Sequence, residues 1–439
     1  MFRDKKILVL GLGVTGKSCL RALEKLPCKV YVYDENKDLN LKEINEDFVV
    51  YKDEDLKYID FIIKSPGIYP FHPLLEKARE LGITIMSDLE FAYNISRCKN
   101  LIAITGTNGK TTTTTLVGQI LSRLYKTYVV GNIGVGISDI ALDAYENDYI
   151  VIEASSFQLE DTIKFKPKIA LLTYVTKDHL DWHKTEDNYR KAKYKIFANQ
   201  DKDDFAVINY DDRSRNDLKE IKSKVYYFSI KEKNIKGCYL DNNKIYFNDN
   251  EIEEIIDIKD IIIPGIHNIK NVMAAIIISK ICGVDNDTIR QSIKLFSGVE
   301  HRIEFIGKIN GVNYYNDSKG TNPDSTIVAV KAMPDKTLLI GGGYDKGSEF
   351  NILMKEISPY LKCLILFGQT APKMAKAAKT NNIEVYIVKD LLAAVNLAQN
   401  FAKVGDSILL SPACASWDMY NSYEERGEHF KKIVKELFS

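Results

Sequence analysis

The stretch NLIAITGTNGKTTTTTLVGQIL, residues 100–121, decides the fold. NLIAIT is an apolar run of strand length, and the residues from Lys110 onward continue as a helix, so a glycine-rich turn joins strand to helix. At such a turn the backbone N–H groups of Gly106, Thr107, Asn108 and Gly109 cradle phosphate. Lys110 reaches the β and γ oxygens, and Thr111, followed by Thr112, places a hydroxyl on magnesium. The loop departs from G-x-x-x-x-G-K-[ST], because the first glycine would fall at Ile104. It is a shorter variant. The run Thr111–Thr115 is β-branched and helix-averse, so local propensity does not explain it.

Outward from this point the same alternation repeats. Apolar runs at 6–10, 29–33, 48–51, 60–64 and 82–86 read as strands, with a helix over 15–25. Further strands fit 149–153, 169–175 and 205–209. Residues 225–263 are short β runs rich in Lys and Asn, which reads as a small antiparallel insertion, and a long apolar helix follows at 268–282. A last block has strands at 311–316, 337–341, 363–367, 384–388 and 407–411, then a helix with Phe430, Ile433, Val434 and Leu437 on one face. The class is α/β. At roughly 150 residues per domain, the 439 residues divide into three domains, 1–94, 95–298 and 299–439.

Composition narrows the function. Lys+Arg and Asp+Glu are 60 each, a net charge of zero, which weakens any reading as a general nucleic-acid binder. The seven cysteines are scattered without a C-x-x-C, as expected of a reducing cytoplasm rather than a disulfide scaffold or zinc ribbon. The N-terminus lacks a signal-peptide pattern and no apolar run is long enough to cross a membrane. A cytoplasmic protein without membrane insertion is expected.

Other motifs fall at strand ends. Gly11-Leu12-Gly13-Val14-Thr15-Gly16 follows a strand and opens a helix, with Asp34 ending the next strand. This is the dinucleotide fingerprint in its context, and it fits a nucleotide or nucleotide-diphosphate site. Glu153 ends strand 149–153, beyond the phosphate loop, where a magnesium ligand would lie. His179 and His183 have metal-pair spacing but no third ligand nearby, and one histidine beside magnesium and phosphate fits better than zinc. In a helix over 188–199, Lys193 shares a stripe with Tyr189 and Phe197, while Arg190, Lys191 and Lys195 take polar faces. Such a lysine is either a desolvated, neutral amine or a snorkelling side chain, and spacing alone favours snorkelling. The loops at 316–322, 341–346 and 411–416 follow three strands, and Lys319 and Lys346 within them suit an anionic ligand.

Taken together, GTNGKTT at 106–112, EASSFQLE at 153–160, TKDHLDWH at 176–183, YRKAKYKIF at 189–197, GIHNIKN at 265–271, NDSKGTNPDST at 316–326 and SPACASWDMYNSYEERG at 411–427 resemble the Mur ligase family over essentially the whole chain. The last two segments are most similar to the branch that adds D-glutamate to UDP-N-acetylmuramoyl-L-alanine. The resemblance implies a Rossmann-like N-terminal domain for the UDP substrate, a central P-loop-like ATPase domain, and a Rossmann-like C-terminal domain that closes over ATP and the amino acid. It implies ATP and Mg²⁺, an acyl-phosphate intermediate, and only small-molecule partners; a monomer is expected. Lys110, Glu153, His179 and Lys193 would be catalytic. Thr111, Glu153, His179 and Lys193 would hold magnesium, with Lys193 carried as an N-carbamate. Asn271, Arg302, Asp317 and Lys319 would join the 106–112 loop on ATP. Val14, Thr15, Asp34, Ser65, Asn132 and His179 would contact the UDP substrate, and Thr321, Lys346, Ser416 and Tyr423 the D-glutamate. Two positions depart from the pattern. Glu35 and Asn36 stand where relatives carry threonine and arginine, and Tyr423 stands where phenylalanine is common.

Three rivals remain at this level. A dehydrogenase would use residues 11–16 and Asp34 but leaves the GTNGKTT loop idle. A regulatory nucleotide-binding protein would bind ATP without turnover. A neighbouring ligase would take another amino acid.

Overall fold

Five parallel strands build the first sheet: β1 (Lys6–Leu10), β2 (Lys29–Tyr33), β3 (Val49–Val50), β4 (Phe61–Lys64) and β5 (Thr84–Ser87), in the order β3-β2-β1-β4-β5. Ile7, Leu8, Val9 and Leu10 are all fully buried, as expected of a strand covered on both faces. The strand order reverses at β1, so the crevice beyond its C-terminal end opens where Gly11 begins. The computed structural model describes residues 1–36, 45, 47–131, 135–345 and 347–437. They form two compact units, Met1–Ile258 with Lys270–Ser292, and Lys259–Ile269 with Ile293–Ser439.

The second sheet, also in the first unit, has nine strands: β6 (Asn100–Thr105), β7 (Thr127–Gly131), β8 (Tyr149–Glu153), β9 (Ile169–Leu172), β10 (Phe205–Asn209), β11 (Lys224–Ser229), β12 (Gly237–Asp241), β13 (Lys244–Asn248) and β14 (Ile252–Asp257). Their order is β14-β13-β12-β11-β10-β9-β6-β8-β7. The reversal lies at β6, flanked by β9 and β8, and the phosphate loop leaves from its end.

Residues 225–263 are therefore no separate insertion; they continue the central sheet. β12 lies parallel to β11, and a Cβ on Gly237 would stand 2.0 Å from the Tyr227 carbonyl oxygen, so only glycine allows that approach. Asn242 and Asn243, both at positive φ, then turn the chain into the antiparallel pair β12–β13. Strand 169–175 is shorter than its apolar run: β9 ends at Leu172, and Thr173 Oγ1 then donates to the Asn108 carbonyl at 2.7 Å. The helix expected over 188–199 is Glu186–Tyr194, with a tighter turn at Lys195–Phe197.

The second unit holds β15 (Glu304–Ile309), β16 (Val312–Asn316), β17 (Thr337–Gly341), β18 (Leu361–Leu366), β19 (Val385–Ile387) and β20 (Ser407–Leu410), ordered β15-β16-β20-β17-β18-β19. All pairs are parallel except β15–β16, a hairpin turned by Asn310 and Gly311 at positive φ. Helix Tyr423–Glu436 buries Phe430, Ile433 and Val434 as its periodicity requires. Among the described residues no helix is long and apolar enough to cross a membrane.

Helix Asp88–Ile95 leads from the first sheet to the second. Glu90 accepts hydrogen bonds from the N–H groups of Ile163, Lys164 and Phe165 at 2.8–3.0 Å. Asp88 accepts from Gln158 Nε2 at 2.8 Å, and burial pushes its carboxyl up to about 6 although the Gln158 amide pulls it down. In the unfolded chain this group titrates near 4. The folded protein thus keeps a proton that the unfolded chain releases, and stability is lost as pH rises through about 4 to about 6. Asp88→Asn removes that loss. Its unfolding free energy should rise at pH 8, by on the order of 2 kcal/mol, and stay unchanged at pH 4; equal shifts at both pH values would contradict it.

Candidate active site

The first glycine turn packs closely on Ser65. Gly11 sits at φ +88°, where a Cβ would come within 2.9 Å of the Ser65 Cβ, and Ser65 Oγ donates to the Gly11 carbonyl at 2.7 Å. Helix Val14–Leu23 starts after Gly13 with no side-chain cap, so its terminal N–H groups face outward, with Val14 exposed and Thr15 half-buried. Asp34 accepts from Leu12 N–H at 2.5 Å and from Asn36 N–H at 2.8 Å, so its carboxylate braces the turn. Glu35 lies 2.9 Å from His72 Nε2, which gives this departure a local partner.

The phosphate loop is tied down on the side away from its cradle. Thr107 N–H donates to the Tyr174 carbonyl at 2.8 Å, and Thr107 Oγ1 accepts from Thr176 N–H at 3.0 Å. Gly109, at φ +86°, caps helix Lys110–Leu121 without any side chain, which again leaves N–H groups for phosphate. A Cβ there would stand 2.4 Å from Asn271 Oδ1, so the loop packs on the helix Ile266–Ile281 at that residue. Thr113 Oγ1 donates back to the Gly109 carbonyl at 2.8 Å, and Thr113 and Thr114 are fully buried. The threonine run is thus built for tertiary fit. Gly109→Ala forces a left-handed alanine against Asn271, and about tenfold weaker ATP binding is expected by calorimetry; unchanged affinity would show the loop needs no glycine there.

Lys110 and Lys193 converge on one atom. Lys110 Nζ donates to the carbonyls of Gly106 and Thr107 at 3.1 and 2.9 Å, and Lys193 Nζ donates to the same Gly106 carbonyl at 2.8 Å. Lys193 is only 2% exposed and its Nζ sits 4.5 Å from the Tyr189 ring centroid. It does not snorkel. Burial holds its amine well below the ordinary lysine range, and the Lys110 charge adds to that, against the pull of Asp178 and Glu153. Arg190 likewise leaves the polar face assigned to it: it is buried, and Nη2 donates to the Val175 carbonyl at 2.7 Å.

Glu153 is buried at the end of β8, in register with Ile104 beside the loop. His179 caps the turn Leu180–His183 at φ +49°, half-exposed, with its ring 4.9 Å from Phe157. His183 turns away, its Nε2 3.0 Å from Ser156 Oγ, so the two histidines do not form a metal pair. Among the described residues no three His, Cys, Asp or Glu side chains converge as a metal site. Of the side chains expected at a cation, the Glu153 carboxylate and the Thr111 hydroxyl are oxygen donors of the kind a hard cation takes, and an N-carboxylated Lys193 would add further anionic oxygen.

In the second unit, Asp317 follows β16 and is buried. Its Oδ2 accepts from Ser411 Oγ at 2.7 Å, and Oδ1 accepts from Ile303 N–H at 3.2 Å. Burial pushes its carboxyl up to about 7, while the Arg302 and Arg426 charges pull it down. Arg302 is flanked by His301 and Ile303, both at positive φ. Lys319 Nζ lies 5.7 Å from the Tyr423 ring centroid, Ser416 is buried and Thr321 is half-buried. Asn132 and Lys346 lie outside the described residues.

Sequence reasoning missed Arg426. It is fully buried and donates to Ser318 Oγ and O at 3.0 and 2.9 Å and to the Ala415 and Cys414 carbonyls at 3.2 Å. A Cβ on Gly343 would lie 3.2 Å from its Nη1. One guanidinium thus gathers all three loops expected on one sheet edge. The only sequence signal was a lone Arg in the first turn of an otherwise acidic helix start.

Three family models cover most of the chain: the Mur ligase MurD-like N-terminal domain at 5–87, the Mur ligase middle domain at 104–279, and the Mur ligase glutamate ligase domain at 301–414. The chain is 46% identical, over 99% of both chains, to a UDP-N-acetylmuramoylalanine–D-glutamate ligase of Thermoanaerobacter sp. (strain X514). It is 43% identical, over the same shares, to the protein of that name in Clostridioides difficile (strain 630). Its fold is similar to crystal structures of the UDP-N-acetylmuramate-alanine ligase MurC from Thermotoga maritima (TM-score 0.60, 18% identity, 98% of this chain and 99% of that one) and of MurF from Acinetobacter baumannii (0.60, 18%, 80% and 79%).

Proposed function

The chain belongs to the Mur ligase family, and from that premise we propose that it is the ATP-dependent ligase that joins D-glutamate to UDP-N-acetylmuramoyl-L-alanine in peptidoglycan precursor synthesis, acting in the cytoplasm as a monomer. The observation that carries the chemistry is the meeting of Lys110 and Lys193 on the Gly106 carbonyl, at the switch point of the nine-stranded sheet and beside the buried Glu153.

A carboxylate is a poor acylating agent, so ATP first converts it to an acyl phosphate. The γ-phosphoryl group moves to the carboxylate of the alanyl end and ADP leaves. The D-glutamate amine, in its neutral form, then attacks the acyl carbon, a tetrahedral intermediate forms, its nitrogen releases a proton to solvent, and the C–O bond to phosphate breaks. The 106–112 loop cradles the phosphates and Lys110 follows the γ-phosphoryl charge as it moves. Thr111, Glu153, His179 and N-carboxylated Lys193 would hold magnesium, which when bound would offset the charge of two anionic reactants. Asn271, Arg302, Asp317 and Lys319 complete ATP binding. Val14, Thr15, Asp34, Ser65, Asn132 and His179 receive the UDP substrate. Thr321, Lys346, Ser416 and Tyr423 receive D-glutamate. The domains that carry these roles are 1–94, 95–298 and 299–439.

The test is phosphate release from ATP with UDP-N-acetylmuramoyl-L-alanine, comparing D-glutamate, L-glutamate, L-alanine and no amino acid. Release is expected only with D-glutamate. Release with another amino acid would keep the family and replace the substrate, and ATP binding without release would favour a regulatory protein.

A further inference from the structure

We propose that Lys64 is a positioning residue for this reaction, tying the loop that receives the UDP end of the substrate to the segments that carry Glu153 and His179. The inference rests on the reading above.

Lys64 ends β4 and its side chain is 1% exposed, so it cannot touch a substrate. Its ammonium meets three segments. Nζ lies 2.7 Å from Asp161 Oδ2, donates to the Ile68 carbonyl at 3.3 Å, and sits 5.5 Å from the Trp182 ring centroid. Each contact leads to a site residue. Ile68 N–H donates to the Ser65 carbonyl at 3.0 Å, and Ser65 braces Gly11. Asp161 caps helix Ser156–Glu160, which begins just after Glu153. Trp182 belongs to the turn capped by His179; its Nε1 donates to Glu160 Oε2 at 3.0 Å, and its ring lies 5.4 Å from Tyr69 and 4.7 Å from Phe157, which in turn meets His179.

Stability does not explain the charge. A buried ion pair is commonly no more stable than an apolar pair of similar size. What an ammonium adds is direction. It holds a carboxylate, a carbonyl and a ring face in fixed places at once, which a methyl group does not. These three groups come from the two ends of one substrate's path. On the reading above, that substrate runs from a pyrophosphate at Gly11 to a carboxylate near His179, so register between the ends sets whether the carboxylate reaches the phosphoryl group.

Lys64→Met alone leaves Asp161 unpaired, so the variant to test is Lys64→Met with Asp161→Asn, beside Lys64→Arg. Steady-state phosphate release is measured with each substrate varied. For the double variant we expect KM for the UDP substrate to rise about tenfold and kcat to fall about tenfold or more, with KM for ATP unchanged. Lys64→Arg should recover most of both. A merely structural residue would lower the active fraction and leave every KM in place, and that result, or wild-type constants in the double variant, overturns the proposal. Wild-type enzyme without D-glutamate-dependent release would sink the ligase reading instead. Calorimetry with UDP alone then decides Lys64: weaker binding in the double variant supports the tie, and equal binding removes it.

Discussion

Lys193→Ala should lower D-glutamate-dependent phosphate release by about a thousandfold, and Lys193→Arg should lower it as deeply. The second half of that result is the informative one. Arginine keeps a positive charge at the position but never offers a neutral amine. Lys193 is buried beside Lys110, both of which disfavour its ammonium form. A neutral amine can add CO₂, giving a carbamate and releasing one proton, and on the proposed reading that carbamate would supply negative oxygens to the cation. Protonating the amine reverses this. Activity should therefore fall as pH falls through the lowered range of this lysine, and fall again when CO₂ and bicarbonate are stripped from the buffer. A Lys193→Arg enzyme with near-normal turnover would mean that the position works as a cation, and the carbamate would be discarded.

Lys110→Met should cost a hundredfold to a thousandfold in turnover, about the loss seen when one preorganised charge is removed from a transferring group. Lys110 lies folded over its own loop, on the carbonyls of Gly106 and Thr107, within reach of the phosphates the loop would cradle. Removing it has a second consequence. Its charge helps depress the Lys193 amine, so Lys110→Met should move the pH profile of Lys193 upward. The two losses should then fail to add in the double variant, as expected of groups sharing one carbonyl. Strict additivity would show that the lysines act independently.

The parts of this fold that were legible in the sequence are those fixed by neighbours in the chain. Strand runs such as KILVL and NLIAIT, both glycine turns and the closing helix follow from patterns that local geometry imposes. The rest depends on partners far away in sequence. Residues 225–263 read as a small antiparallel insertion because their lysines and asparagines dilute the apolar pattern, yet Gly237 lets the strands within them join the central sheet. The Asn310-Gly311 hairpin was a readable signal that was passed over, and β15 with it. Lys193 read as a snorkelling side chain because helical spacing reports which face a residue takes and not what covers that face. Arg426 and Lys64 were invisible for the same reason: each meets groups supplied by separate loops.

The Glu90 cradle bears on how enzymes of this kind could exchange parts. A recombination break after Ile95 would look harmless, since the helix ends there. It would strip three amide protons at 163–165 of their acceptor and leave a carboxylate buried in foreign packing. Ser87 N–H, Asp88 and Glu90 all bond into 158–165, so a tolerated crossover lies upstream of Ser87. A chimaera that borrows another N-terminal domain should keep its own residues 87–95, and it loses these bonds wherever the borrowed segment lacks carboxylates at positions 88 and 90.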